Sequence, residues 1–92
     1  MKELKPEETE LIGMWLDLGS KVVGDAVYDR IEWLTGTQLE HLADDPSGLA
    51  TLYRDPRDKR LWERTYPFKG GPPQLCIIAA EHASEKYRVT TA

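Results

Sequence analysis

The spacing of apolar residues changes along this 92-residue chain, and that change restricts the possible folds more than any other sequence feature. Ile12, Met14 and Leu16 alternate with other residues, which predicts a strand, and Val22–Val23 predicts its hairpin partner. From Asp25 to Leu42 the apolar residues are instead three or four positions apart. This spacing is typical of an amphipathic helix, so the chain must combine strands with helices.

The helical segment is predicted to begin at Asp25, because an aspartate side chain is a favourable N-cap. Gly36 predicts a break, since glycine inside a helix costs about 1 kcal/mol relative to alanine. The second helix of the pair is predicted to end in a loop at residues 44–48, which contain proline, serine and glycine. A further short helix is predicted within residues 3–11, where Pro6 precedes several acidic residues.

The second half of the chain is predicted to form most of the sheet. Residues 51–53 and 61–66 are rich in aromatic and β-branched types and are joined by turn residues 55–58, which indicates a hairpin. The apolar run 75–78 predicts a buried strand, and 79–87 a terminal helix. We therefore expect one α+β domain over residues 1–92, a small antiparallel sheet with helices packed on one face.

The size and composition of the chain exclude several classes of protein. Folding buries only about 60 to 65% of the unfolded surface at this length, which leaves no room for a two-domain enzyme with an enclosed active site. Cys76 is the single cysteine, so an internal disulfide framework and a cysteine zinc cage are excluded. Residues 1–10 lack the apolar core of a secretion signal, and no segment approaches a membrane span. We expect a cytoplasmic protein with no membrane partner.

The charges are distributed unevenly between the two halves of the chain. The whole sequence carries 12 basic and 16 acidic residues, a net charge of −4. Cutting at Pro46 gives four basic and eleven acidic residues before the cut, and eight basic and five acidic residues after it. Such asymmetry indicates either a charged partner or attraction between the two halves within the fold. Both interpretations stay open from sequence alone.

Few residues suggest catalysis. The sequence contains no nucleophile elbow, Walker loop, dinucleotide glycine pattern or metalloprotease helix. Cys76 with His41 or His82 would make a minimal nucleophilic dyad, but its apolar neighbours favour a core position. Gly70–Gly71 precedes two prolines, which have no N–H to offer a phosphate. We expect a protein that is not an enzyme and has no cofactor.

Two groups of charged residues have the composition of binding sites. His41, Asp44 and Asp45 have the residue types of a metal site, but a solvated helix end is the simpler interpretation, so no metal is expected. The segment 54–60 combines arginines with nearby aromatics, as in nucleic-acid binding surfaces. Interrupting aspartates leave it only weakly basic, so we expect no nucleic-acid partner. The alternative function is a small nucleic-acid- or protein-binding module without catalysis, or a minor enzyme or metal protein that uses Cys76 or His41.

The acidic residues of the first half are the candidate binding residues. Asp25, Asp29 and Glu32 are three or four apart, which places them on one face of the predicted helix. An acidic face is either solvated or shaped to meet a basic protein, because complementary charge speeds association. The partner-binding candidates are Asp25, Asp29, Glu32, Glu40, Asp44 and Asp45.

A series of short motifs along the chain resembles a known family. The motifs are Leu4–Gly13 followed by Trp15, then Arg30–Leu34, Leu52–Pro56, Trp62–Glu63 with Thr65–Pro67, and Gly70–Pro73 with Leu75. Their order and spacing are similar to those of the bacterial immunity protein 27 family, small α+β proteins encoded beside toxins of polymorphic-toxin and contact-dependent inhibition systems. The resemblance runs from Leu4 to Tyr87. This chain differs in the connection after Pro67, where Phe68-Lys69 is shorter than the usual insert.

The resemblance implies a non-catalytic inhibitor that binds a cognate toxin domain and blocks its active site or its access to substrate. Many such toxins are nucleases or other enzymes with basic clefts, which an acidic surface would suit. Residues that match the motifs are expected to be fold determinants rather than toxin contacts. Any of the three tryptophans that lies exposed is instead expected to be an interface anchor. The motif residues are Gly13, Trp15, Arg30, Trp33, Arg54, Asp55, Pro56, Trp62, Tyr66, Pro67, Gly70, Gly71 and Pro72.

Overall fold

Short strands and two helices make up residues 2–67 and 70–87, the part of the chain that the computed structural model describes. Phe68 and Lys69, which carry the predicted short connection, lie outside these residues. The elements are β1 (Glu10–Ile12), β2 (Trp15–Asp17), β3 (Val22–Gly24), α1 (Ala26–Trp33), β4 (Glu40–Asp44), β5 (Ala50–Arg54), β6 (Leu61–Thr65), β7 (Gln74–Ile77) and α2 (Ala80–Tyr87).

Five of the strands form one antiparallel sheet in the order β1-β7-β6-β5-β4. The predicted hairpin of the second half is its β5–β6 pair, in which Tyr53 lies opposite Trp62. The predicted buried strand is β7, which lies between β1 and β6. The remaining strands β2 and β3 form the predicted two-stranded hairpin beside the main sheet.

Both faces of the central strands are apolar, so both faces need cover. Tyr53 and Trp62 pack with Ile31 of α1 on one face. Their chain neighbours Leu52 and Leu61 pack with α2 on the other face, because successive side chains of a strand point to opposite sides. The α+β class and the small antiparallel sheet are confirmed, but each helix covers its own face of the sheet rather than sharing one.

The predicted break near Gly36 is confirmed, but the helix predicted beyond it is wrong. Helix α1 starts at its Asp25 cap and passes into a single π-helical turn over residues 34–38. Leu39 is extended, and the following residues form β4, which pairs with β5. The three-to-four spacing of Leu39 and Leu42 is compatible with a helix, but backbone pairing with β5 determines the structure there.

The short helix predicted near the amino terminus is also wrong. Pro6 lies in a turn, where the Glu8 N–H donates to the Lys5 carbonyl oxygen at 3.0 Å. The Glu8 side chain accepts from the Lys5 N–H and from Arg30, so it does not support a helix. Glu10 then enters β1. Contacts with distant residues therefore replace the local helical bonds.

The strand predicted from the alternation of residues 12–16 is divided between two sheets. Strand β1 ends at Ile12, and β2 begins at Trp15. The buried Gly13 between them donates its N–H to the Pro73 carbonyl oxygen at 3.0 Å. A Cβ atom at this position would lie 2.9 Å from the same oxygen, which explains why only glycine suits the crossing.

Candidate functional site

The candidate acids do not form one continuous helical face. Asp25 accepts the Tyr28 N–H at 2.8 Å and so caps α1. Asp29 is exposed on the same helix, and Glu32 forms an ion pair with Arg64. These three residues therefore belong to α1 and its cap, as predicted. They differ in their partners within the fold, because Asp25 binds a backbone N–H, Glu32 binds an arginine and Asp29 is exposed.

The other three candidates belong to β4 and the loop that follows it. Glu40 pairs with Arg54 at 2.9 Å. Asp44 accepts from Thr51 and contacts His41 Nε2, both at 3.1 Å, and these contacts lower the pKa of Asp44. Asp45 accepts from the Ser47 hydroxyl. Glu40 and Asp44 lie on a strand because residues 40–44 pair with β5, and Asp45 follows in the loop.

Basic residues of the second half form ion pairs with acidic residues of the first half. Among the described residues, arginines of the basic half form three ion pairs with carboxylates of the acidic half. The pairs are Arg54–Glu40, Arg57–Glu3 and Arg64–Glu32. Attraction between the two halves, one of the two interpretations left open by the sequence, is therefore realised in the fold.

The arginine-rich turn holds the amino-terminal segment. Arg60 donates to the carbonyl oxygens of Lys5, Pro6 and Glu8 at 2.7 to 3.2 Å. Arg57 donates to the Leu4 carbonyl oxygen and also pairs with Asp55, which is only 2% exposed. These guanidinium groups are committed to the chain itself, which leaves them less available to phosphate groups.

Arg30 is the second anchor of the amino-terminal segment. Its guanidinium binds both carboxylate oxygens of Glu8 at 2.7 Å and donates to the carbonyl oxygens of Lys2 and Glu3. A bidentate contact of this kind is short and geometrically specific. The Arg30 hydrogen bonds lower the pKa of Glu8 from 4.5 to about 2, although partial burial opposes the shift.

We expect this pair to make stability depend on acid pH. Because the pKa of Glu8 is lower in the folded state, its contribution is present above about pH 4.5 and is lost as the pH falls towards 2. Glu8→Gln should cost about 1 to 3 kcal/mol at neutral pH and reduce the loss of stability on acidification. Urea unfolding of both proteins across this range measures the effect.

Glu7→Gln is the matched control for that experiment, since Glu7 is exposed and adjacent in the chain. Its unfolding free energy should follow that of the wild type at every pH. Parallel stability curves for the wild type and Glu8→Gln would show that the Arg30 contact does not carry the acid dependence.

The residues considered for catalysis are separated. Cys76 lies opposite Glu63 on β6, on the face covered by α2, and burial raises the pKa of its thiol. His41 lies on the other face, where its ring meets Tyr53 edge-on at 5.9 Å. His82 is exposed on α2. No group of three metal-ligating side chains is found among residues 2–67 and 70–87.

The hairpin β2–β3 exposes apolar side chains, a feature that the sequence reasoning did not predict. Met14 and Leu18 are each 56% exposed, and Leu16 is 45% exposed. The alternation of Ile12, Met14 and Leu16 was a visible signal, but alternation alone does not say which side of a strand meets water. The folded chain leaves exposed apolar side chains on both faces of this hairpin, since Trp15 and Leu16 follow each other in β2.

Trp15 is exposed, which is the condition under which a tryptophan of this chain is expected to be an interface anchor, although Trp15 is also one of the motif residues expected to determine the fold. It is 42% exposed, whereas Trp62 is fully buried. Its Nε1 donates to the Gly70 carbonyl oxygen at 3.2 Å, and its ring lies 5.2 Å from that of Tyr28. Gly24 makes room for this contact, since a Cβ there would lie 2.2 Å from Tyr28 Cδ1.

The comparison with protein families accounts for the order of the motifs. Residues 17–79 match the family model for immunity protein 27, which covers more than half of the chain. The chain belongs to the immunity protein 27 family. The resemblance inferred from the motifs is therefore confirmed, and the immunity family implies a toxin as partner in general. No curated protein and no solved structure matches this immunity protein.

The family match leaves the first block of motifs outside it. Gly13 and Trp15 precede residue 17, whereas the other motif residues fall within the matched range. In this immunity protein Trp62 lies in the core, and Asp55 accepts the Arg57 N–H at 2.9 Å in the β5–β6 turn. Among the described residues, no helix has the length and hydrophobicity needed to span a bilayer.

Proposed function

We propose that this immunity protein binds the toxin encoded beside it and neutralises it without catalysis, by covering the toxin's active site or the route of its substrate. The family match over residues 17–79 is the observation that carries this proposal. The toxin would belong to a polymorphic-toxin or contact-dependent inhibition system. A cytoplasmic location is part of the proposal, because a producing cell must neutralise the toxin before the toxin meets its target.

The distribution of side chains supports inhibition by binding rather than by chemistry. Cys76 and His41 face opposite sides of the sheet, so they do not form the nucleophile and base of a dyad. Exposed carboxylates, by contrast, are available on the surface. Asp29 makes no ion pair with any described residue, so it is free to meet a basic group on a toxin.

Co-expression with the adjacent toxin gene tests the proposal. Cells that express the toxin alone should stop growing, and cells that also express this protein should grow normally. A tagged immunity protein should then purify with the toxin as a stoichiometric complex. Growth arrest despite soluble immunity protein, with no co-purification, would contradict the proposed function.

Protection should not depend on the residues once considered for catalysis. We expect Cys76→Ser and His82→Ala to protect cells as well as the wild type does, because inhibition by surface contact needs neither a thiolate nor an imidazole. Growth curves of co-expressing cells measure protection, and immunoblots confirm equal protein levels. Loss of protection by a folded Cys76→Ser protein would contradict the non-catalytic mechanism.

A further inference from the structure

The exposed apolar side chains of this protein are concentrated in one segment. Nine large apolar side chains are exposed among the described residues, and six of them fall within residues 12–22. Single exposed apolar residues are normal on a protein surface, but a contiguous group marks an interaction site. The six are Ile12, Met14, Trp15, Leu16, Leu18 and Val22. Leu16 follows Trp15 in β2, so its side chain points to the other face of the hairpin. We call Ile12, Met14 and Trp15, which line one depression, the hairpin surface.

The hairpin surface forms one wall of a groove. Ile12, Met14 and Trp15 line an apolar depression of about 290 Å³ together with Pro67 and Pro72. The hairpin strands pair only with each other, so the described chain places no further strand against their outer edges. Apolar side chains, a groove and open strand edges are therefore adjacent, and all three favour a protein partner.

Trp15 gives this surface a rigid centre. Its hydrogen bond to Gly70 and its contact with the Tyr28 ring fix the indole before any partner arrives. A side chain that is already ordered loses little conformational freedom on binding. Tryptophan is also among the residue types most enriched at binding hot spots. The surface thus has the composition and the order of an interface core.

The charges beside the hairpin surface indicate the chemistry of its partner. Asp17 lies two residues after Trp15 in β2, the Asp25 N–H donates to the Met14 carbonyl oxygen at 3.0 Å, and Asp29 lies one helical turn after Asp25. None of the three carboxylates forms an ion pair with a described residue. Glu32, farther along α1, is instead neutralised by Arg64. The unneutralised carboxylates therefore border the apolar residues. A complementary surface would present an apolar patch edged by lysine or arginine.

We propose that the hairpin surface is the main docking site for the toxin, which presents an apolar patch bordered by basic residues. This inference rests on the proposed function and assigns the contact to a particular surface. Its centre is apolar, and the acidic candidates Asp25 and Asp29 lie at its border. Glu32 and Glu40 have only a small part, because arginines of the same chain already neutralise them.

Isothermal titration of the purified toxin domain, inactivated at its active site, tests the docking site. Met14→Ser should weaken binding by about 30-fold or more, the loss expected at a hot spot, because Met14 is exposed and lines the groove beside Trp15. Leu49→Ser is the matched control, because Leu49 is 61% exposed and lies outside the hairpin surface. Its affinity should stay within about 2-fold of the wild type, as expected of a residue outside the interface.

The possible results separate the docking site from the proposed function. Absence of binding by the wild type would contradict both. Wild-type affinity in folded Met14→Ser would overturn the docking site and leave the function intact. A wild-type dimer that Met14→Ser converts to a monomer, with toxin affinity unchanged, would show that a second copy occupies the surface, and would also overturn the proposal.

Hydrogen exchange on the wild type provides a test that needs no variant. The amides of residues 14–23 should exchange more slowly in the complex with the inactivated toxin than in the free protein. Exchange that slows elsewhere but not in this segment would overturn the docking site even if Met14→Ser failed to fold.

Discussion

Trp62→Ala should lower the free energy of unfolding by about 3 to 5 kcal/mol, the usual cost of removing a large aromatic side chain from a core. Trp62 is fully buried between the sheet and α1. Its Nε1 has no hydrogen-bond partner among the described residues, so the loss reports packing and the contact with the Arg60 guanidinium 5.0 Å from the ring centroid. A domain of this size has only about 5 to 14 kcal/mol of stability in total.

Urea unfolding followed by circular dichroism measures this prediction, and the melting temperature should fall by more than about 12 °C. Trp15→Ala is the matched control, since Trp15 is half exposed and loses mainly its contact with Tyr28. We expect that substitution to cost about 1 kcal/mol. Equal costs at the two positions would contradict the assignment of Trp62 to the core and of Trp15 to the surface.

Leu52→Ala should have the second largest effect, about 2 to 5 kcal/mol, on the opposite face of the sheet. Leu52 is fully buried and packs with Leu61 and Ala83 beneath α2. Removing its side chain leaves a cavity that the short helix α2 cannot fill. Chemical denaturation gives the change in the free energy of unfolding.

Leu49→Ala is the control, because the same residue type three positions earlier is 61% exposed. Its cost should stay below about 0.5 kcal/mol, as for most surface substitutions. If Leu52→Ala also changed the free energy of unfolding by less than about 0.5 kcal/mol, the apolar cluster beneath α2 would not contribute to the stability of the domain.

Local chemistry was enough to predict several elements of this fold. Asp25 caps α1 as expected, Gly36 lies in the turn that ends it, and the hairpin 51–66 has its turn where Pro56 indicated. Each depends on residues close together in the chain: a side chain that accepts a nearby N–H, a glycine, or a proline with a fixed φ angle. Such signals do not depend on the rest of the molecule.

The incorrect predictions all involve contacts between residues far apart in the chain. Residues 40–44 have helical spacing, but they pair with β5. Glu8 would favour a first helical turn, yet it binds Arg30, 22 positions away. A local pattern ranks the conformations of one segment, whereas hydrogen bonds and burial contributed by distant segments decide between them.

The candidate site also combines features that the sequence reveals with features that depend on contacts between distant residues. Its acidic residues were visible in the sequence, as was the possibility that an exposed tryptophan would be an anchor. Which acids remain unpaired, and which tryptophan is exposed, depended on where Arg54 and Arg64 point and on which side of the sheet each residue lies. Neither can be inferred from spacing alone.

The sequence by itself determined the α+β class, the membership of the immunity protein 27 family and most of the helix and strand positions, because these depend on residue type and short-range order. The tertiary structure alone decided that the helices cover opposite faces, that arginines of the second half neutralise acids of the first, and that the β2–β3 hairpin stays uncovered. The physical reason is that burial and ion pairing are properties of surfaces brought together, and only the folded chain brings these surfaces together.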